Sequence, residues 1–424
     1  MHPLTAAFII ALGLGTALRL WLASRQIGAA RAHREQVPEP FAGQVSAAEH
    51  RKAADYTIAR VRLGRIEGVL DALVVLALTL GGGIERLDAL WQQVGWSEPW
   101  RGLALIGSIL AITMLIGLPF SIFRTFRIEA AFGFNRTSWS LYLIDRLKGL
   151  LLGVLIGGPL VLGALELMER AGRLWWLYAW LGWLAVSWTL AWAWPALIAP
   201  LFNRFTPLSD AALKSRIETL LGRCGFTSKG VFVVDSSRRT AHGNAYFTGV
   251  GRSKRIVFFD SLLAQLGASE IEAVLAHELG HFRLKHVRQG LIISGALSLG
   301  GLALLGWLTR QPWFYTALGV RQGSAECALL LFLLVAPVFL YFATPLGTFW
   351  SRRHEFAADR FAAEHASATD LAAALVKLYR DNATTLTPDR ITSAFYDSHP
   401  PALVRIAYLR SLAQRAASES LPAT

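Results

Sequence analysis

Cysteine is nearly absent from this chain. Its 424 residues include two, Cys224 and Cys327, far apart in sequence. That excludes a disulfide framework and a cysteine-rich zinc ribbon. Charge is also scarce: 17% of residues are charged and 54% hydrophobic, with a mean hydropathy of +0.41. A water-soluble domain of this size carries more charge. The apolar excess falls in blocks, which predicts an integral membrane protein. Acidic residues are outnumbered, 29 against 42 basic, for a net charge of +13. Nucleic-acid binding is excluded as the reason, because the basic residues follow a membrane topology.

A span needs about 20 apolar residues. Seven stretches qualify: Leu4–Ser24, Gly68–Ile84, Gly102–Ile122, Gly149–Leu165, Leu174–Ala199, Gln289–Thr309 and Cys327–Phe349. The second is short and contains Asp71, and the fourth is Gly-rich; either reads alternatively as a buried or interfacial helix. The leader Met1-His2-Pro3 lacks a positive charge, so the first stretch reads as an uncleaved helix. Lys and Arg number eight in 25–67, five in 123–148, thirteen in 200–288 and nine after 349, but two in each alternate connection. Positive residues favour the cytoplasmic side. The expected topology has the N-terminus outside, and the 200–288 loop and the tail inside. Arg19 and Asp71 lie within spans, so they are candidates to face an internal polar space. For Arg19, snorkelling toward the interface is the favoured alternative. The fifth stretch holds Trp175, Trp176, Trp180, Trp183, Trp188, Trp192 and Trp194. They read as an aromatic belt with lipid-facing bulk, or as the wall of a cavity.

The chemistry is carried by His277-Glu278-Leu279-Gly280-His281. On a helix, two histidines four apart share a face and can bind one ion, with Glu278 beside them to take a proton from water. The run from Ala268 supplies the helix, with Ser269 and Glu272 as its expected capping box. A closed structural zinc site would need a fourth ligand, usually Cys, and neither cysteine is near. The expectation is a catalytic zinc site of a peptidase, short of one protein ligand. His286, nine residues past His277, falls near the opposite face and reads as packing or interfacial, not as a ligand.

Ser351–Phe361 is helical in composition, and Glu355 and Asp359 share a face four apart. Glu355 could be the third ligand and Asp359 could orient a ligand histidine. An ordinary surface charge pair explains the spacing equally well. His354 is a weaker rival. Two spans lie between His281 and Glu355, so both return to the same side.

Between the fifth and sixth spans, residues 230–235 and 255–259 read as short buried strands. Asn244-Ala245-Tyr246-Phe247 lies between them. An extended peptide can add to a sheet edge there, with Asn244 bonding its backbone; a plain hairpin with Gly249 in its turn is the alternative. His399, ahead of Pro400 and Pro401, could donate to an oxyanion, or merely precede a helix.

Taken in order, H-E-L-G-H, then S-R-R-H-E-F-A-A-D from Ser351, then H-P-P-A-L-V-R from His399 resemble the CAAX prenyl protease type 1 family of membrane zinc metallopeptidases. Arg127–Arg136, Pro200–Arg204 and Asn244–Phe247 resemble it as well. The resemblance implies an all-α polytopic fold of about seven helices around a water-filled chamber, with a small α+β cytoplasmic part. It implies one zinc on His277, His281 and Glu355, with Glu278 as base. Asp359 would support a ligand, Asn244 would hold substrate, and His399 and Arg405 would lie close to the site. Eukaryotic members cleave the last three residues from prenylated C-a-a-X proteins. This chain ends Ser420-Leu421-Pro422-Ala423-Thr424, without that cysteine. Its composition suggests a bacterial inner-membrane member.

The expected organisation is five spans over 1–199, a peptidase insert over 200–288, a hairpin over 289–349 and a helical segment over 350–424. The expected partners are the bilayer and a peptide or lipidated protein, with the oligomeric state open. Two rival functions stand beside prenyl-protein cleavage: a quality-control protease indifferent to lipid, and a non-catalytic chamber tied by zinc. Other first-row ions can also occupy such a ligand set.

Overall fold

The computed structural model describes residues 1–226, 228, 230–248 and 255–419. The chain opens with α1 (Pro3–Ala32) and α2 (Ala47–Leu78). Ser46 caps α2: its side chain accepts from the Glu49 N–H while Glu49 accepts from the Ser46 N–H. Arg34 pairs with Asp55 near the connection, and Arg19 abuts Gly68 further along, so the two helices run antiparallel. Arg19 also lies 5.2 Å over the Tyr341 ring. It therefore turns into the bundle and does not snorkel, because an aromatic face and the bare Gly68 give its guanidinium a place there. Asp71 is exposed.

Next come α3 (Gly83–Val94), α4 (Trp100–Phe123), α5 (Trp139–Leu152), α6 (Gly158–Arg170), α7 (Trp175–Ala193) and α8 (Ala199–Phe202). A π-helical turn, Arg124–Glu129, extends α4. The following segment holds β1 (Phe205–Pro207), α9 (Ala211–Arg223), β2 (Val231–Val234), β3 (Ala245–Thr248), β4 (Arg255–Phe259), α10 (Asp260–Gln265) and α11 (Ala268–Arg283). After it come α12 (His286–Leu308), α13 (Pro312–Ala317), α14 (Ala325–Leu340), α15 (Thr344–His365), α16 (Ala368–Asp381), α17 (Arg390–Tyr396) and α18 (Ala402–Glu419).

Six helical runs among the described residues are long and apolar enough to cross a membrane: Pro3–Ala32, Trp100–Glu129, Trp139–Arg170, Gly172–Phe202, His286–Leu308 and Ala325–His365. The stretch expected at Gly68–Ile84 is divided. Its first part is the apolar end of α2, and Gly82, at φ 72°, turns the chain into α3.

Two cores result. In the first, Ile256 and Phe258 of β4 are buried against Ile217 and Leu220 of α9, Leu275 and Leu279 of α11, Leu371 of α16 and Ile406 and Leu409 of α18. Each such side chain contributes about 1.5–3 kcal/mol on burial. In the second, Phe8, Ile84, Leu105, Leu165, Phe314 and Leu331 meet at the other end of the bundle. Cys224 and Cys327 are free and buried, one in each core.

Of the seven tryptophans, Trp183, Trp188, Trp192 and Trp194 are exposed. Trp180 donates to the Gly295 carbonyl at 3.0 Å and Trp176 packs on Gly306, so this face joins α7 to α12. A cavity of about 1300 Å³ lies among α6, α7, α12 and α14, and Trp183 alone of the seven lines it.

The sheet order is β1-β2-β4-β3; β2 and β4 are parallel, and β3 is an antiparallel edge. α11 and α15 approach closely at Gly280. A Cβ there would stand 3.1 Å from both the Ala358 Cα and the Phe361 Cβ. Neither neighbour can swing aside. Overpacking costs about 1–3 kcal/mol, more than the roughly 1 kcal/mol that Ala gains over Gly in a helix. Gly280→Ala is therefore expected to lower the thermal midpoint and weaken metal retention, both measured on detergent-purified protein.

Candidate metal centre and active site

The helix carrying the two histidines begins at Gly267, whose extended backbone (φ −76°, ψ 165°) makes it the N-cap. Its N–H donates to Glu270 Oε2 at 2.7 Å, and Lys377 also reaches that oxygen. The expected box at Ser269 and Glu272 is not used, since Ser269 is already inside the first turn. Glu272 instead takes Arg216 and Arg223 of α9.

His277 and His281 lie on one face of α11, with their Nε2 atoms 3.3 Å apart. Across from them, α15 brings in Glu355. Its Oε1 is 3.3 Å from His281 Nε2 and its Oε2 is 3.5 Å from His277 Nε2. Three ligands at about 2.0–2.1 Å from one tetrahedral ion stand about 3.3–3.5 Å apart. Glu355 Oε2 is also buried with no hydrogen-bond partner. Two imidazole nitrogens and an orphaned carboxylate oxygen turned on one point fit a divalent cation.

Asp359 lies one turn beyond Glu355 and is fully buried. Its Oδ1 is 2.9 Å from His277 Nδ1. A carboxylate can only accept, so the His277 proton sits on Nδ1 and Nε2 is left unprotonated, with Arg405 Nη2 3.2 Å from it. Arg405 of α18, 5% exposed, donates to both Asp359 oxygens at 2.8 and 2.7 Å. Its Nη1 is 3.4 Å from Glu355 Oε2.

Glu278 is half-buried beside the triad, and burial raises its carboxyl above the ordinary glutamate value. His399 is exposed, with Nε2 3.4 Å from Glu355 Oε1 and Nδ1 3.0 Å from Ser398 Oγ. It lines a cavity of about 540 Å³ shared with Tyr379 and Arg405. Asn244 immediately precedes the edge strand β3, which rests against α11. Its Oδ1 accepts from the Ala245 N–H at 2.8 Å. Tyr246 packs edge-on against Phe259 and is part-buried, which raises its hydroxyl. Gly249, the alternative turn residue, lies outside the described residues.

Sequence reasoning missed three features. His286 is not on the opposite face: its Nδ1 is 3.0 Å from His281 Nδ1, although it stays outside the ligand group. α11 ends at Arg283 and Lys285 turns left-handed (φ 62°), which brings His286 back to the site. His354, the rival to Glu355, stacks on His286 at 3.9 Å and 6°. The third is a clasp between the two halves of the chain. Arg239 pairs bidentately with Asp145 at 2.8 and 3.0 Å. Glu129 accepts from Tyr56 at 2.6 Å and lies 3.5 Å from His242, two residues before Asn244. The His286 spacing was visible in the sequence; the clasp left no local signal.

Comparison with known proteins agrees with this geometry. Residues 26–204 match a family model described as CAAX prenyl protease N-terminal, five membrane helices, and residues 207–413 match peptidase family M48. A CAAX prenyl protease 1 homolog of Oryza sativa is 32% identical over 390 residues, covering 88% of this chain and 90% of that protein. The Homo sapiens homolog is 30% identical, covering 88% and 89%. The crystal structure of S. mikatae Ste24p superposes with a TM-score of 0.87 at 26% identity, covering 96% of this chain and 99% of that one. Fold and site together define a membrane-embedded metallopeptidase. The chain belongs to the CAAX prenyl protease 1 family.

Proposed function

We propose that this protein is a zinc endopeptidase that cuts near the C-terminus of prenylated CAAX-type or similar membrane-associated proteins. The observation that carries the reading is the 3.3–3.5 Å triangle of His277, His281 and Glu355 with Glu278 beside it. His277, His281 and Glu355 would hold one zinc. When bound, it supplies Lewis acidity, polarising the scissile carbonyl and acidifying water. Glu278 takes the proton of the attacking water and passes it to the leaving amine nitrogen. His399 donates to the developing oxyanion, and Arg405 holds Asp359 and Glu355 in place. The substrate lies extended along the free edge of β3, with Asn244 holding its backbone. The N-terminus is outside, and the site faces the cytoplasm of a bacterial cell.

The test is cleavage of a farnesylated C-a-a-X peptide beside its unprenylated copy. Cleavage that depends on the lipid is expected. Equal cleavage of both would turn the reading to a quality-control protease.

His286 tunes the centre. With Nε2 facing the metal position, the His281 proton sits on Nδ1, and His286 Nδ1 is the acceptor at 3.0 Å. Removing such a partner typically costs 10–100-fold in metal affinity. His286→Ala is expected to lower zinc affinity by about that factor, measured by chelator competition. His286→Asn restores an acceptor and should recover part of the loss.

A further inference from the structure

Away from the metal centre, a groove of about 620 Å³ lies between α2 and the end of α4, lined by Ala59, Arg62, Pro119, Phe120, Arg127 and Phe132. Two features of the backbone shape it. Pro119 has no N–H to donate within α4, which leaves one carbonyl of that helix without its intrahelical partner while the helix itself runs on to Phe123. The turn Arg124–Glu129 is π-helical, a form that gathers at functional positions.

The walls are apolar except for two arginines. Arg62 and Arg127 are both exposed, and neither has an ion pair or hydrogen bond among the described residues. Their neighbours differ: Arg124 pairs with Glu67 at 2.5 Å, and Arg60 lies over the Tyr56 ring. The depth of the pair in the membrane also has a meaning. Gly68 is level with Arg19 of α1, and Arg62 stands six residues from it, roughly 9 Å along the helix. Arg127 stands four residues past the end of α4 at Phe123. Both are thus near the level where spans end, while Pro119 and Phe120 line the groove about two turns further back along α4. The occupant that matches has an apolar tail below and a negative group above. An isoprenoid or a neutral lipid leaves both cations unmatched.

We propose that this groove binds an anionic phospholipid, with an acyl chain between α2 and α4 and the phosphate held by Arg62 and Arg127. The same turn carries Glu129 on its other side, where it meets Tyr56 and His242. The lipid therefore closes the outer face of the segment that braces the strand at Asn244.

The test titrates delipidated, zinc-loaded protein with phosphatidylglycerol or phosphatidylcholine of identical chains, read by native mass spectrometry. Phosphatidylglycerol is expected to bind about tenfold tighter or more. Arg62→Gln/Arg127→Gln should erase that preference with zinc content unchanged. Ala131→Trp, which fills the groove and keeps both arginines, should weaken both lipids. Arg31→Gln/Arg390→Gln removes two exposed arginines outside the groove and should keep the preference. No preference in the wild type, preference retained in the double arginine variant, unchanged lipid binding in Ala131→Trp, or equal loss in the control would overturn the proposal. So would displacement of the lipid by a farnesylated peptide, which would give the groove to the isoprenoid.

Discussion

Glu278→Gln is expected to abolish peptide cleavage while the zinc stays bound. The amide keeps the size and hydrogen-bonding reach of the carboxylate but cannot take a proton at neutral pH. General-base catalysis contributes about 10²–10⁴-fold, so the loss in kcat should be about a thousandfold. None of the three ligand contacts involves Glu278, so zinc content by atomic emission should match wild type. A variant that still cleaves at a tenth of the wild-type rate would remove Glu278 from the mechanism. It would also revive the reading of zinc as a mere tie between helices.

The second large effect is expected at Asp359. The pair it forms with Arg405 is sealed, at 0% and 5% exposure. Breaking a buried pair by removing one partner costs about 3–5 kcal/mol, because the remaining charge is stranded. Asp359→Ala leaves Arg405 with only its 3.4 Å contact to Glu355 Oε2 and also takes the acceptor from His277 Nδ1. Thermal unfolding should show a large destabilisation, and chelator competition a 10–100-fold loss of zinc affinity. The double variant Asp359→Leu/Arg405→Leu separates these effects. Replacing both charges by apolar side chains should restore much of the stability. Zinc affinity should stay low, because His277 still lacks its acceptor. Recovery of both together would mean that Asp359 acts only through packing.

Much of the centre was legible in the sequence because its parts are local. His277, Glu278 and His281 are fixed by one helical turn, as are Glu355 and Asp359. Spacing alone could not choose between Glu355 as a ligand and as half of a surface pair, because that depends on how α15 meets α11. Gly280 lets the two helices touch, which sets Glu355 across from His277 and His281. The cap of α11 was misplaced by two residues: a glycine N-cap has no side chain to announce it, and its partner Glu270 looks like any acidic residue in a first turn. His286 was misjudged because a straight helix was extrapolated through the left-handed turn at Lys285. Arg19 was misjudged because its partner Tyr341 is over three hundred residues away. The clasp of Glu129, Tyr56 and His242 was invisible for the same reason. Long-range pairs leave no period in the sequence.

The order in which the site's parts occur along the chain has a consequence during synthesis. His277, Glu278 and His281 leave the ribosome first. Glu355, Asp359 and Arg405 follow only after α12 and α14, the membrane hairpin between them. A nascent chain holding only the first set has two of the three proposed metal ligands and no acceptor for His277. The site closes when the hairpin has been inserted and α15 has come back to α11. On the proposed ligand set, the metal centre is complete only once the hairpin lies between α11 and α15.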